Sequence, residues 1–415
     1  MWEALKNAFK LPDLRKKLLW TLFLLAIFRL GSHIVVPGMR PHDFGENNIF
    51  SLLDIFSGGA LSNMSLFALG VNPYITASII MTLLTMVIPR LEELSKEGTE
   101  GRKVISKYTR YGTVVLGLIQ ASALTAAFRE AMVDPTNTWS YISIIVTMTA
   151  GTVFLMWLGE VLSERGIGNG ISMIIFGGII ARLVTDAVSA LSNIGTGGVT
   201  IPGIFGSVAL TVVVIAFVVV VTQGQRKIPV QYAKRVVGRK MYGGQATHLP
   251  LRVNQAGVIP IIFASSVLAF PLTIKGFVTP TSGFARFLDL FTPGNWLYLI
   301  LYALFIFVFT YFYTAISFNP VEVSNNMKKY GGFIPGIRPG KPTAEYLDRV
   351  LTRITLAGAL FLMVISLLPY LISPFTGINM GLTGTSLLIA VGVAIDTMKQ
   401  IEAHLLMRQY EGFLK

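Results

Sequence analysis

Several residue groups in this chain have the types that chemistry requires, and each fails on spacing. GIRPGKPT (336–343) carries the Gly, Lys and Thr of a phosphate-binding loop. Its glycines stand one residue too close, and Pro342 occupies the place of the required Ser or Thr. RGIGNGIS (165–172) offers Gly166, Gly168 and Gly170 without GxGxxG spacing, and reads as a tight turn at the start of a helix. His33, His42, His248 and His404 are scattered, no HExxH or GxSxG is present, and the chain has no cysteine. Disulfides, thiolate metal sites and cysteine nucleophiles are thereby excluded. Charges inside apolar stretches remain, because they usually mark ion paths or relays. Arg182 and Asp186 stand four apart, which predicts a local ion pair. Arg29 has no evident local partner, and Glu160, Asp396 and Lys399 fall nearer span ends. No catalytic constellation emerges, and the absence of a mid-span acid cluster argues against ion coupling.

The elements that carry these residues are membrane helices. Of 415 residues 53% are hydrophobic and only 13% charged, about half the charge of an ordinary soluble protein. Ten apolar runs approach the roughly 20 residues that cross a bilayer: 18–37, 72–89, 111–128, 141–162, 170–190, 205–223, 257–273, 296–318, 354–372 and 383–401. The first is too long for a signal peptide and lacks a small-residue cleavage site. The runs are continuous rather than alternating, which excludes a transmembrane barrel. The expected fold is an all-α integral membrane protein.

Charge placement predicts orientation. With the N-terminus cytoplasmic, 28 of the 34 Lys/Arg fall on inside segments, four outside, and Arg29 and Arg182 within spans. That bias puts both termini in the cytoplasm. Ten spans divide into residues 1–190 (spans one to five) and 191–415 (spans six to ten), and the second five enter the membrane in the opposite sense. Cytoplasmic segment 224–256 carries seven Lys/Arg and no acid, and 319–353 contains NPVEVSNNMKKYGGFIPGIRPGKPTAEYLDR. Each is either a basic flank for anionic lipid or a shaped docking surface for a macromolecule. The apolar segment 50–70, broken at Gly58-Gly59, is either an interfacial helix or a re-entrant piece buried in protein.

Seven stretches carry a family resemblance: FSGGALS (56–62), FALGVNPYITASII (67–80), KEGTEGR (96–102), FLMWLGEVLSERGIGNGIS (154–172), GQRKIPVQYAKR (224–235), THLPLRVNQAGVIPIIFASS (247–266) and FIPGIRPGKPTAEYLDRV (333–350). In this order, over essentially the whole chain, they resemble the SecY family, the central channel subunit of the bacterial Sec translocase. The resemblance implies a non-enzymatic channel in the plasma membrane, without cofactor, that passes unfolded polypeptides and releases apolar segments sideways into lipid. It implies two pseudo-symmetric inverted halves of five helices and a pore ring formed by Val71, Ile75, Ile171, Ile175, Ile262 and Ile389. A short plug at about 55–66 (Phe56, Ser57, Gly58, Gly59, Ala60, Leu61, Ser62, Asn63) would cover that ring from outside.

The same resemblance places a lateral gate between spans two and seven at Thr76, Gln120, Asn254 and Phe270. From span ends alone, Thr76 and Phe270 are expected at matching depths, roughly 5–6 Å below the outer boundary. Arg226, Lys227, Arg239, Lys240 and Arg338 become candidates for docking the SecA motor ATPase or the ribosome. SecE is the implied obligatory partner and SecG a further one, with no sequence-specific nucleic acid binding. A secondary transporter of a small solute is the alternative, distinguished by binding residues at broken helices near the midplane.

Overall fold

The computed structural model describes residues 11–41, 54, 57–192, 201–232, 235–237, 240–242, 246–275, 283–292, 295–376 and 384–413. Ten helices of 16 to 36 residues match the ten apolar runs in order. They are α1 (Pro12–Gly31), α2 (Asn72–Val87), α4 (Thr99–Ala127), α5 (Thr138–Arg165), α6 (Gly170–Ser192), α7 (Ile201–Gln223), α8 (Ile259–Lys275), α10 (Trp296–Ser317), α12 (Lys341–Thr376) and α13 (Gly384–Phe413). Shorter helices are α3 (Pro89–Lys96), α9 (Gly283–Asp289) and α11 (Pro320–Lys329).

Local chemistry sets many of the boundaries. Pro89 holds Ile88 extended, so α2 ends there and α3 departs at 103°. Asn137 caps α5 by accepting from the Trp139 amide, and Asn319 caps α11 ahead of Pro320. Helices α4, α12 and α13 run well past their apolar runs into polar sequence, where backbone hydrogen bonding continues after hydropathy has fallen.

Two groups of helices clasp each other. Within the first, α2 packs on α4, α4 on α5, α5 on α6, and α1 on α5 and α6. Within the second, α8 packs on α10, α10 on α12, α12 on α13, and α7 on α13. Among the described residues the groups meet along α8 against α2 and α4 and along α6 against α13, and α1 joins α13 in a small apolar cluster.

One end of the bundle carries a sheet that the all-helical expectation omitted. Strand β1 (Gln225–Tyr232) pairs antiparallel with β4 (Ala246–Arg252) on one side and with β5 (Gly332–Phe333) on the other. Two three-residue strands, β2 (Arg235–Val237) and β3 (Lys240–Tyr242), pair within the same segment. Buried Ile228 and Val230 alternate with exposed neighbours along β1 and join Leu251, Met327, Ile334, Leu347 and Val350 in a separate small core. Both long basic segments therefore form one packed unit.

Candidate functional site

Six β-branched side chains converge where the two groups meet. Val71 ends the segment before α2, and Ile75 lies one turn into that helix. Ile171 and Ile175 share a face at i, i+4 on α6, while Ile262 comes from α8 and Ile389 from α13. Val71, Ile175 and Ile389 are buried in one hydrophobic cluster, and Ile75, Ile171 and Ile262 pack against it. Every predicted ring position thus lies in a single apolar knot between the helix groups. Branching at Cβ leaves such side chains stiff at χ1.

The turn before α6 aims Ile171 and Ile175. Residues 166–169 fold back with Gly168 at φ +86°, a backbone conformation that favours glycine. The Ile167 amide donates to Thr21 Oγ1 (3.1 Å), the Gly168 amide to Gln400 Oε1 (2.9 Å) and the Gly170 amide to Ser163 Oγ (2.8 Å). Asn169 Oδ1 accepts from the Ser172 amide at 3.1 Å. The tight turn expected from RGIGNGIS is present, and it ties α6 to α1, α5 and α13.

Residues 57–70 cover the knot. Ala60 and Phe67 belong to the same cluster as the ring residues, while Leu61, Met64, Ala68 and Leu69 pack into a second cluster with Val36, Met39 and Met132. The Val36 amide donates to Met64 O (2.9 Å) and the Leu66 amide to Ile34 O (2.8 Å). Gly151 of α5 lies against the Leu66 carbonyl, where no Cβ would fit. Of the two possibilities for this apolar segment, burial within protein is the one observed, with most of 57–71 inaccessible. Phe56 lies outside the described residues.

The anchors of this segment were missed from sequence. Arg182 does not stop at its own helix: its Nη1 reaches Asp54 Oδ2 at 2.9 Å, 128 residues away. Arg29 Nη1 donates to Gly58 O at 2.6 Å. The Asp186 side chain lies outside the described residues. Ion pairs elsewhere differ in weight. Lys96–Glu92 and Lys103–Glu100 are exposed surface pairs on single helices, each worth less than about 1 kcal/mol. Asp54 is 3% exposed and Arg182 33%. Stripping one partner from a buried pair costs about 3–5 kcal/mol, reduced here by the partial exposure of Arg182.

The proposed gate positions are only partly brought together. Helix α8 touches both α2 and α4, so Thr76, Gln120 and Phe270 lie on elements that share a seam. Thr76 is buried and donates to Asn72 O at 2.9 Å, whereas Phe270 is 41% exposed. Asn254 is buried beside Gly358 of α12, and neither polar atom of its amide has a hydrogen-bond partner.

The docking candidates are exposed where described. Arg226 and Lys227 lie on β1, next to exposed His248 and Arg252 of β4, and Arg338 lies in the turn before α12. Gly336 (φ +82°) and Gly340 (φ +102°) flank Arg338, and Thr343 Oγ1 donates to its carbonyl at 2.8 Å. Arg239 lies outside the described residues, and Lys240 is placed only as a position on β3.

A ten-helix bundle with an aliphatic knot at its centre and a buried segment over that knot defines a multi-pass membrane channel. The SecY family model matches residues 65–398. The protein translocase subunit SecY of Thermotoga maritima is 46% identical over 100% of this chain and 98% of its own. That of Streptomyces galbus is 48% identical with both chains covered in full. A solved structure described as a protein conducting channel superposes with TM-score 0.68 at 19% identity, covering 94% of this chain and 92% of that one. Sec61 from a canine ribosome-channel complex gives 0.65 at 19% identity with the same coverage. The chain belongs to the SecY family.

Proposed function

We propose that this chain is the protein-conducting subunit of a Sec translocase, passing unfolded polypeptides across the bacterial plasma membrane and releasing apolar segments sideways into lipid. The observation that carries this reading is the convergence of Val71, Ile75, Ile171, Ile175, Ile262 and Ile389 in one cluster beneath residues 57–70. A small solute would be served by a polar pocket. An extended chain of arbitrary side chains is served by an aliphatic collar that parts and recloses.

The α8 seam with α2 and α4 supplies the lateral exit, with Thr76, Gln120 and Phe270 along it and Asn254 in the segment leading into α8. Few polar contacts tie such a seam, each worth on the order of 1 kcal/mol, which suits an interface that must open. The division into residues 1–190 and 191–415 supplies the two moving halves. The basic sheet and the Arg338 turn dock the SecA ATPase or the ribosome, from which the energy comes. SecE is the obligatory small subunit and SecG a second one, and both termini face the cytoplasm.

Reconstitution tests this directly. Purified chain with SecE, placed in vesicles and supplied with SecA and ATP, should bring an unfolded preprotein into a protease-protected state. Vesicles that import a labelled small solute but protect no preprotein would overturn the reading.

A further inference from the structure

Three charged groups reach the covering segment without belonging to the aliphatic knot: Arg29, Arg182 and Asp54. Charges within spans are usually paired and functional, so what each one holds indicates its use. Arg29, in the last turn of α1, donates to Gly58 O. Arg182, on α6, pairs with Asp54. One turn earlier on α6, the Gly178 backbone lies so close that a Cβ on Gly58 would stand 2.7 Å from Gly178 Cα. Gly58 also holds φ +69°, so both its conformation and its neighbour call for glycine.

Asp54 organises the far side of this contact. Its Oδ1 accepts from the amides of Leu61 (3.0 Å) and Ser62 (2.9 Å), and its Oδ2 accepts from Ser62 Oγ at 3.0 Å as well as from Arg182. One buried carboxylate therefore shapes the 57–62 turn and joins it to α6, the helix that carries Ile171 and Ile175. Charge-assisted bonds of this kind are stronger than neutral ones.

We infer that Arg29, Arg182 and Asp54 are positioning residues of the channel: two arginines from two separate spans clasp the covering segment over the aliphatic knot. The inference rests on the reading of residues 57–63 as a plug. Moving the segment off the knot separates Arg182 from Asp54 and Arg29 from Gly58, breaking two charge-assisted contacts. The clasp thus opposes opening independently of the ring side chains, and ties the cover to the helix that forms part of the collar.

The test uses the full chain reconstituted with SecE, with Asn63→Cys as the sole thiol. Arg182→Gln and Arg29→Gln are each compared with the parent for resting ion leak and for labelling by a membrane-impermeant maleimide. Both readouts should rise on the order of tenfold, less than loss of a fully buried pair would give. A chain lacking residues 57–63 sets the leak of an uncovered channel. If that deletion leaks while both arginine variants match the parent, the clasp is overturned and the plug reading stands. A parent-level result in one variant alone removes that arginine from the clasp. If the deletion does not leak, the plug reading falls, and the clasp with it.

Discussion

Gln231 and Phe333 are register partners across β1 and β5. This pairing joins two basic segments, separated in sequence by the long helices α8 and α10, into one surface. The Arg338 turn grows from the same unit, since Ile334 shares the core of Ile228, Val230 and Leu251. A partner meeting this face therefore meets one packed unit rather than two separate loops.

Arg338→Glu should impair SecA-driven export while leaving membrane abundance and SecE assembly unchanged. The side chain is exposed, and the turn is held by Gly336, Gly340 and the Thr343 bond to its carbonyl. Arg338→Lys should recover only part of the activity, because a lysine cannot copy a planar bidentate contact. Export assays on inverted vesicles, with immunoblotting for the chain, provide the measurement. A collapse in abundance would make Arg338 structural.

Gly151→Leu should push residues 65–70 away from α5, because the Leu66 carbonyl occupies the space a side chain needs. Overpacking of this kind costs about 1–3 kcal/mol. A lowered thermal midpoint of the detergent-solubilised complex is expected, whereas Ala substitution of lipid-facing Val146 should leave it unchanged. An unchanged midpoint for Gly151→Leu would contradict the close approach.

Thr76→Cys with Phe270→Cys should oxidise to an intramolecular disulfide, because α2 and α8 share a seam and the proposed exit runs along it. A disulfide needs Cα atoms within about 7 Å, so its formation reports contact. The chain has no native cysteine to compete. The staple should block lateral release of signal sequences until it is reduced, whereas failure to oxidise, scored by mobility on non-reducing gels, would put the two positions off the seam.

The helices were legible in the sequence because a span must present an unbroken apolar surface, and all ten runs became helices. Their polar extensions were not, since the first turns of α12 and the last of α13 continue on backbone bonding without any hydropathy signal. Alternation of Ile228 and Val230 in RKIPVQY was a strand signal, lost beneath the charge of the segment. Ring convergence came from the family resemblance, because a single isoleucine in a membrane helix looks like any other. Arg182 pointed to Asp186 by local spacing. The pairing with Asp54 depends on a segment folding back across the bundle, which spacing along one helix cannot show.

The most direct measurement of the central claim is the resting conductance of the reconstituted channel with Ile75→Asn and Ile175→Asn combined. Both side chains belong to or pack against the central cluster, and two amides there should wet the constriction. The expected result is a steady ion leak without SecA or substrate, with SecE assembly intact. A closed baseline equal to that of the parent would contradict the aliphatic collar as the seal.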